Sequence, residues 1–365
     1  MTSFSNSSSF NFISTRLRRF LPNSQTVALA IILLFGSLLF YFLADLLMPV
    51  FASIVIAYLL NGLIVKAEKK KIPRLLAVYS VFTTFMTCLG FFLFVLMPML
   101  SSQTIQLVRR IPKMVTSVQA EIMRLPQMYP KIMSEESVGE FMVSVQNELL
   151  KYGQEIISGS AASVVGLVSA MIYLFLVPLM VFFFLKDKTM LLNWFLQYTP
   201  RDRHLTTQVW KEVDIQIANY VRGKFVEVFL LWAASYATFS ALDLNYSMLL
   251  AVLMGLSVII PYVGATLVTF PVLGVAYAQW GISSDHFIYI VVAYSIIQAI
   301  DGVVLVPLLF SEAVNLHPIA IIVAILFFGG MWGFWGVFFA IPLATLVKSV
   351  LNAWPREEHK IIDTY

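Results

Sequence analysis

Between Lys224 and Lys348 the sequence has no lysine or arginine, and within that stretch Asp301 sits deep in an apolar run over 287–310. Such a run is long enough to cross a bilayer, which takes roughly 20 apolar residues. A carboxylate at the centre of the hydrocarbon costs about 3 kcal/mol or more, so it must face a bundle interior or a wet cavity. With no base on the neighbouring apolar segments, Asp301 is expected to hold a proton, bind a cation or rely on polar neighbours. Gln298, three residues earlier, shares its helical face and offers a second oxygen. These two form the expected ion-coupling site, and the bland alternative is a protonated Asp bonding across helices.

Composition sets the class. The chain is 59% hydrophobic and 12% charged, with a mean hydropathy of +0.85. A soluble domain carries about 25% charged residues, so the expectation is an all-α polytopic membrane protein. Apolar runs at 27–47, 49–65, 75–97, 162–185, 225–242, 246–280, 287–310 and 318–347 give about eight transmembrane segments. Arg16, Arg18 and Arg19 precede the first run, which is read as an anchor because it is long for a signal peptide and no cleavage site follows. Pro49 is expected to turn the first run into the second as a tight hairpin with Asp45 near its tip.

The bases partition by side. Segment 1–26, the loop after the second run with Lys66, Lys69, Lys70, Lys71 and Arg74, and segment 186–224 are the basic stretches. The positive-inside rule puts them in the cytoplasm and, with eight crossings, puts both termini there too. The expected organisation is a leader over 1–26, spans over 27–97, an extramembrane helical segment on the periplasmic side over 98–160, a fourth span over 161–185, a cytoplasmic amphipathic linker over 186–224, a transport core over 225–350 and a tail over 351–365. Run 246–280 is too long for one simple span and has Pro261 near its middle, so it is either one broken helix or includes a re-entrant half. Counting parity favours one net crossing.

Segment 98–160 carries two helical seams, through Val108, Ile111, Val115 and Val118 and through Val138, Met142, Val145 and Leu149, separated by Pro126 and Pro130. The two helices are expected to pack on each other or on another subunit. Pro112 is expected to kink or start the first. Trp210, Val213, Ile217, Tyr220 and Val221 form an apolar stripe leading into the fifth span, a membrane-surface strut or a coupling linker. Near that junction Glu227 is expected to reach the interface or pair with Arg222 or Lys224.

Catalytic patterns are missing. There is no phosphate-binding G-x-x-x-x-G-K-[ST] loop, no H-E-x-x-H zinc pair, no G-x-S-x-G elbow, and a single Cys88. The chain is therefore not expected to be an enzyme, nor to need a cofactor or metal, and nothing in it suggests nucleic acid as a partner. Gly255-x-x-x-x-Ile260-Pro261 recurs as Gly336-x-x-x-x-Ile341-Pro342. Interrupted spans expose backbone groups that bind solutes or ions, so Gly255, Pro261, Tyr262, Gly264, Pro307, Gly336 and Pro342 are the expected helix-break or pore-lining residues.

Several of these pieces stand in a specific order: Tyr220-x-Arg222-Gly223-Lys224, Ile260-Pro261-Tyr262-x-Gly264, Gln298-x-x-Asp301 with Pro307, Leu316-His317-Pro318, and Gly333-x-x-Gly336 leading to Pro342. Together they make the chain resemble the AI-2E transporter family over roughly 27–350. Ser311 departs from the glycine that the family carries there. The resemblance implies a bacterial inner-membrane homo-oligomer, with a pentamer as the suggested form, and secondary transport of a small molecule or cation. Export of autoinducer-2, a small furanone, and exchange of sodium for protons are the implied activities. Arg222, Lys224, Glu227 and His317 are then gating or linker candidates. The rival readings are a non-transporting oligomeric scaffold and a passive pore.

Overall fold

Backbone polar groups inside a bilayer find partners only within a helix or a closed barrel, and every regular element among the described residues is helical. The computed structural model describes residues 24–122, 135–161, 164–197, 204–261, 263–310 and 316–353. Most of the expected leader and tail, the Pro126 and Pro130 break, Tyr262 and Ser311 lie outside these. Among the described residues five helical stretches are long and apolar enough to cross a membrane: Leu47–Lys69, Arg74–Gln119, Val263–Trp280, Asp285–Phe310 and Pro318–Ser349. The chain is an all-α integral membrane protein.

The first helix, α1 (Ser24–Lys69), is continuous through Pro49. The expected hairpin at Pro49 is absent, and the reason is energetic. A proline removes one backbone hydrogen bond, whereas reversing the chain in hydrocarbon would leave several groups unpaired. Helix α2 (Arg74–Phe91) passes through a five-residue π segment, Phe92–Leu96, into α3 (Met97–Ile122). Pro112 lies inside α3, fifteen residues past its first residue, and so does not start it. Helices α4 (Glu135–Ala161), α5 (Val164–Lys186), α6 (Lys188–Gln197) and α7 (His204–Ala241) follow. Then come α8 (Ser247–Ser257), α9 (Val263–Trp280), α10 (Asp285–Ile300), a second π segment Asp301–Leu305, α11 (Val306–Phe310) and α12 (Pro318–Ala353).

Both π segments stand two residues before a proline, Pro98 and Pro307. A proline ring collides with the carbonyl four residues back, and a widened turn there relieves the collision by shifting the hydrogen bond one residue along. Val306 N accordingly bonds Asp301 O.

The helices form two units. One holds 55–186 and 221–311. In it, Val78 of α2 packs with Ile64, Val181 and Leu185 in a buried cluster. Arg74 bridges Glu68 at 3.2 Å and donates to the Leu185 carbonyl at 3.2 Å. Helices α3 and α4 pack on each other, with Gly153 lying against Val108. Gln103 of α3 also accepts from Leu249 N at the start of α8.

The same unit contains the element that most changes the sequence reading. Gln279 at the end of α9 accepts from Asn245 N at 2.9 Å and donates to Asp243 O at 2.8 Å. At the other end Gly264 lies so close to Ser257 that a Cβ would overlap the Ser257 carbonyl. Helices α8 and α9 are therefore antiparallel arms of a hairpin whose two ends meet. Run 246–280 makes no net crossing, contrary to the parity argument, because ends joined by hydrogen bonds cannot lie on opposite sides of a bilayer. Sidedness then rests on the basic linkers and not on counting runs.

The other unit holds 1–54, 187–220 and 312–365. Here α12 folds sharply at Gly333 (φ 57°, ψ −134°), which brings Gly336 against the Phe328 carbonyl. Tyr220 OH donates to Phe338 O at 3.2 Å.

Candidate functional site

Helix α7 turns a buried stripe inward at spacings of three and four: Lys224, Glu227, Leu231, Ser235 and Phe239. Three of the five are polar, which inside a membrane calls for a reason. Lys224 Nζ donates to Glu227 Oε2 at 2.8 Å and to Val258 O at 2.7 Å. Val258 is the first residue past α8, so its carbonyl is among those a helix end leaves without a partner. The lysine thus closes the negative end of α8 at the tip of the hairpin. Its ammonium also lies 5.1 Å from the Phe310 ring centroid.

Asp301 completes the cluster. It opens the second π segment, is only 8% exposed, and lies within electrostatic range of both Lys224 and Glu227. Its Oδ1 is buried without a hydrogen-bond partner among the described residues. The expectation of no basic neighbour is corrected here. Lys224, placed by sequence at the edge of the fifth span, is 6% exposed and folds in beneath the hairpin tip. Glu227, 1% exposed, is part of the same cluster and does not reach an interface. One cation faces two carboxylates, so the fully ionised cluster carries one excess negative charge. Removing such a group from water is costly unless a proton or cation balances it.

Gln298 belongs to an adjoining network. Its Nε2 donates to Tyr294 OH at 2.9 Å and contacts Met254 Sδ at 3.5 Å. Tyr294 OH lies 2.7 Å from Thr269 Oγ1, and the Ala265 carbonyl is within reach of both. This network ties α10 to both hairpin arms one turn from Asp301.

The other expected residues divide. Gly255 sits against Val228 O and Trp232 of α7, and Pro261 stands in the hairpin turn with Gly264 just beyond. Pro307 is exposed and acts through the π segment before it. Arg222 is exposed, with its guanidinium 5.9 Å from the Tyr58 ring. Gly336 and Pro342 are buried in α12, in the other unit, where His317 Nδ1 accepts from Ile319 N at 3.3 Å near that helix's start. The structure thus brings together Asp301, Lys224, Glu227 and the hairpin tip, with Gln298 beside them.

Sequence reasoning missed the centrality of Lys224, although its place three residues before Glu227 on the 224–227–231–235 stripe is a signal. It also missed the π segment, which the Asp301-to-Pro307 spacing foreshadows. A further feature had no sequence signal. At the hairpin mouth a cavity of about 210 Å³ is lined by Arg110, Lys113 and Ser117 of α3 together with Asn245, Tyr246 and Gln279.

Comparison with known proteins agrees with this architecture. The family described as AI-2E family transporter matches residues 30–356. The chain is 45% identical to "Putative permease PerM" of Escherichia coli K12 over 338 residues, which cover 93% of this chain and 96% of that protein. It is 24% identical to "Putative transport protein YueF" of Bacillus subtilis 168, covering 84% of each chain. It is 22% identical to "AI-2 transport protein TqsA" of Escherichia coli K12, covering 85% of this chain and 87% of that one. With its apolar helices and α8–α9 hairpin, the chain belongs to the AI-2E family of membrane transport proteins.

Proposed function

We propose that this chain is a secondary transporter in which the Lys224–Glu227–Asp301 cluster takes up and releases a coupling proton or sodium ion. The observation that carries the reading is the unpartnered, buried Asp301 carboxylate oxygen beside one lysine and a second carboxylate. The excess negative charge is balanced when a proton or monovalent cation binds. Because Lys224 also holds the tip of the hairpin through Val258, a change of charge at Asp301 alters the balance of forces on a contact that holds the tip. Ion occupancy and hairpin position are thereby linked, as coupled transport requires. On this reading the exported solute is a small molecule of the autoinducer-2 type, the protein lies in the bacterial inner membrane with its basic linkers 66–74 and 186–224 in the cytoplasm, and it works as a homo-oligomer.

A second reading, sodium–proton exchange, is favoured by the same excess charge, since a site for one monovalent cation serves both ions. The test is purified protein in liposomes under imposed pH or sodium gradients, compared with Asp301→Asn. Gradient-driven ion flux is expected to fall at least about tenfold, the loss of a 1.4 kcal/mol interaction. Undiminished coupled flux in the Asn protein would remove Asp301 from the mechanism.

A further inference from the structure

The cavity at the hairpin mouth and the stripe of α7 beneath it share a character that the ion-coupling role does not use. Arg110 and Lys113 are one turn apart on α3 and face the cavity, and neither makes an ion pair among the described residues. The remaining polar lining, Ser117, Asn245, Tyr246 and Gln279, is uncharged. Two cations in the lining against one acid on the rim outside it, Asp243, leave the cavity net positive, which draws anions in and holds cations out. The rim is built, not incidental. Asp243 (φ 53°), Tyr246 (φ 59°) and Gly281 (φ 78°) all take left-handed backbone conformations there, and Gln279 clasps the two strands of chain together. Non-glycine residues hold that conformation at a cost, which the surrounding structure must offset.

Below the cavity the polarity resumes after one apolar layer. Val275, Met114 and Tyr246 of the lining also pack into the core that contains Phe239, which has no exposed surface. One turn further along the same face of α7, Ser235 Oγ is fully buried with no hydrogen-bond partner among the described residues. Trp232 Nε1 is a second buried group without a hydrogen-bond partner among the described residues, and the Trp232 Cβ lies where α7 meets α8 at Gly255. Native structures seldom leave such groups unpaired, and where they do a water, ion or solute is the usual partner. Ser235 lies about 12 Å along α7 from Glu227, from a rise of 1.5 Å per residue.

We propose that the cavity is a vestibule that admits small anions, and that Phe239 separates it from a polar seam, marked by Ser235 and Trp232, that leads to the charged cluster. The vestibule favours a solute bearing a phosphate, sulfonate or carboxylate group, admits neutral ones and disfavours metal cations, so a coupling sodium ion would reach the cluster by another path. In the conformation described, the Phe239 ring closes the seam. The direction of the route rests on the transport role proposed above, but the vestibule and its gate are tested without measuring flux, so either idea can fail alone.

The single cysteine makes the test clean. Cys88→Ser leaves a chain with no thiol, into which Ser117→Cys (vestibule), Ser235→Cys (seam) and Phe229→Cys (60% exposed, on a different face of α7) are placed one at a time. Each protein, in nanodiscs, is treated with methanethiosulfonates of similar size, one bearing a sulfonate and one a trimethylammonium. At low salt the anionic reagent is expected to label Ser117→Cys about tenfold faster than the cationic one, and Arg110→Gln with Lys113→Gln should erase that ratio. Equal rates for both reagents in the parent vestibule would overturn the charge selection. Ser235→Cys is expected to react slowly, and at least about tenfold faster once Phe239→Ala opens the seam, with Phe229→Cys unchanged. If Ser235→Cys reacts no faster with Phe239→Ala present than without it, while a far-ultraviolet helical signal shows the protein intact, the gate and the seam are wrong.

Discussion

Replacing Lys224 by methionine removes a cation of nearly the same length and tests whether the cluster holds the hairpin. Three contacts are lost: the 2.8 Å bond to Glu227, the 2.7 Å bond to Val258 O, and the approach to the Phe310 ring. Breaking a buried ion pair by deleting one partner costs about 3–5 kcal/mol, because the remaining charge is left without compensation. The orphaned Val258 carbonyl adds about 1–3 kcal/mol, though the two costs overlap since one ammonium serves both. We take about 4 kcal/mol, a large share of an ordinary stability of about 5–15 kcal/mol. For a unit of this size that is a fall in melting temperature of about 10 °C. The double variant Lys224→Met, Glu227→Leu should recover much of the loss, since replacing a buried pair by apolar side chains is often neutral. Thermal unfolding of the four proteins of the cycle in one detergent gives the coupling energy, expected at about 2–3 kcal/mol. If Lys224→Met melts within about 2 °C of the parent, or the double variant is no more stable than the single one, Lys224 does not hold the tip.

Gly264→Ala should lower the melting temperature by several degrees, because a Cβ there meets the Ser257 backbone and overpacking costs about 1–3 kcal/mol. Gly302→Ala, where a Cβ meets nothing, serves as its neutral control in the same melt. Gln279→Ala removes both bonds that clasp the hairpin mouth, and hydrogen exchange at the Asn245 amide should quicken by about tenfold, with little change in global melting because the site is exposed. Exchange as slow as in the parent would show that the mouth is held by other contacts.

The sequence made the class of fold and the oddity of Asp301 legible, because both follow from apolar runs and from single residues that violate them. It could not show the hairpin. Run 246–280 was visibly too long, but its fold-back depends on Asn245 meeting Gln279, 34 residues away. The repeated Gly-x-x-x-x-Ile-Pro phrase misled in a specific way. Pro261 stands in a turn, whereas Pro342 lies inside α12. The structural counterparts are Gly264 with Pro271 and Gly336 with Pro342, each a close glycine followed by a proline in the second arm. Lys224 was undervalued because a lysine three residues from a glutamate at a span edge reads as an interfacial pair. Its burial is decided by the hairpin tip, an element distant in sequence. Pro49 was overvalued, since local propensity for a break yields to the cost of unpaired backbone in lipid.

The π segment after Ile300 behaves like one surplus residue wound into a helix. Each residue of an α-helix advances the chain by about 100°, so the surplus turns everything after it relative to everything before. Asp301 therefore lies within electrostatic range of Lys224 in a register that Pro307 and Phe310 do not share by simple helical continuation, although Phe310 meets the same ammonium. Were the bulge to migrate or be absorbed, carboxylate and ring could no longer address one lysine together. The helix carries a built-in phase slip, and the cluster exists only at one setting of it.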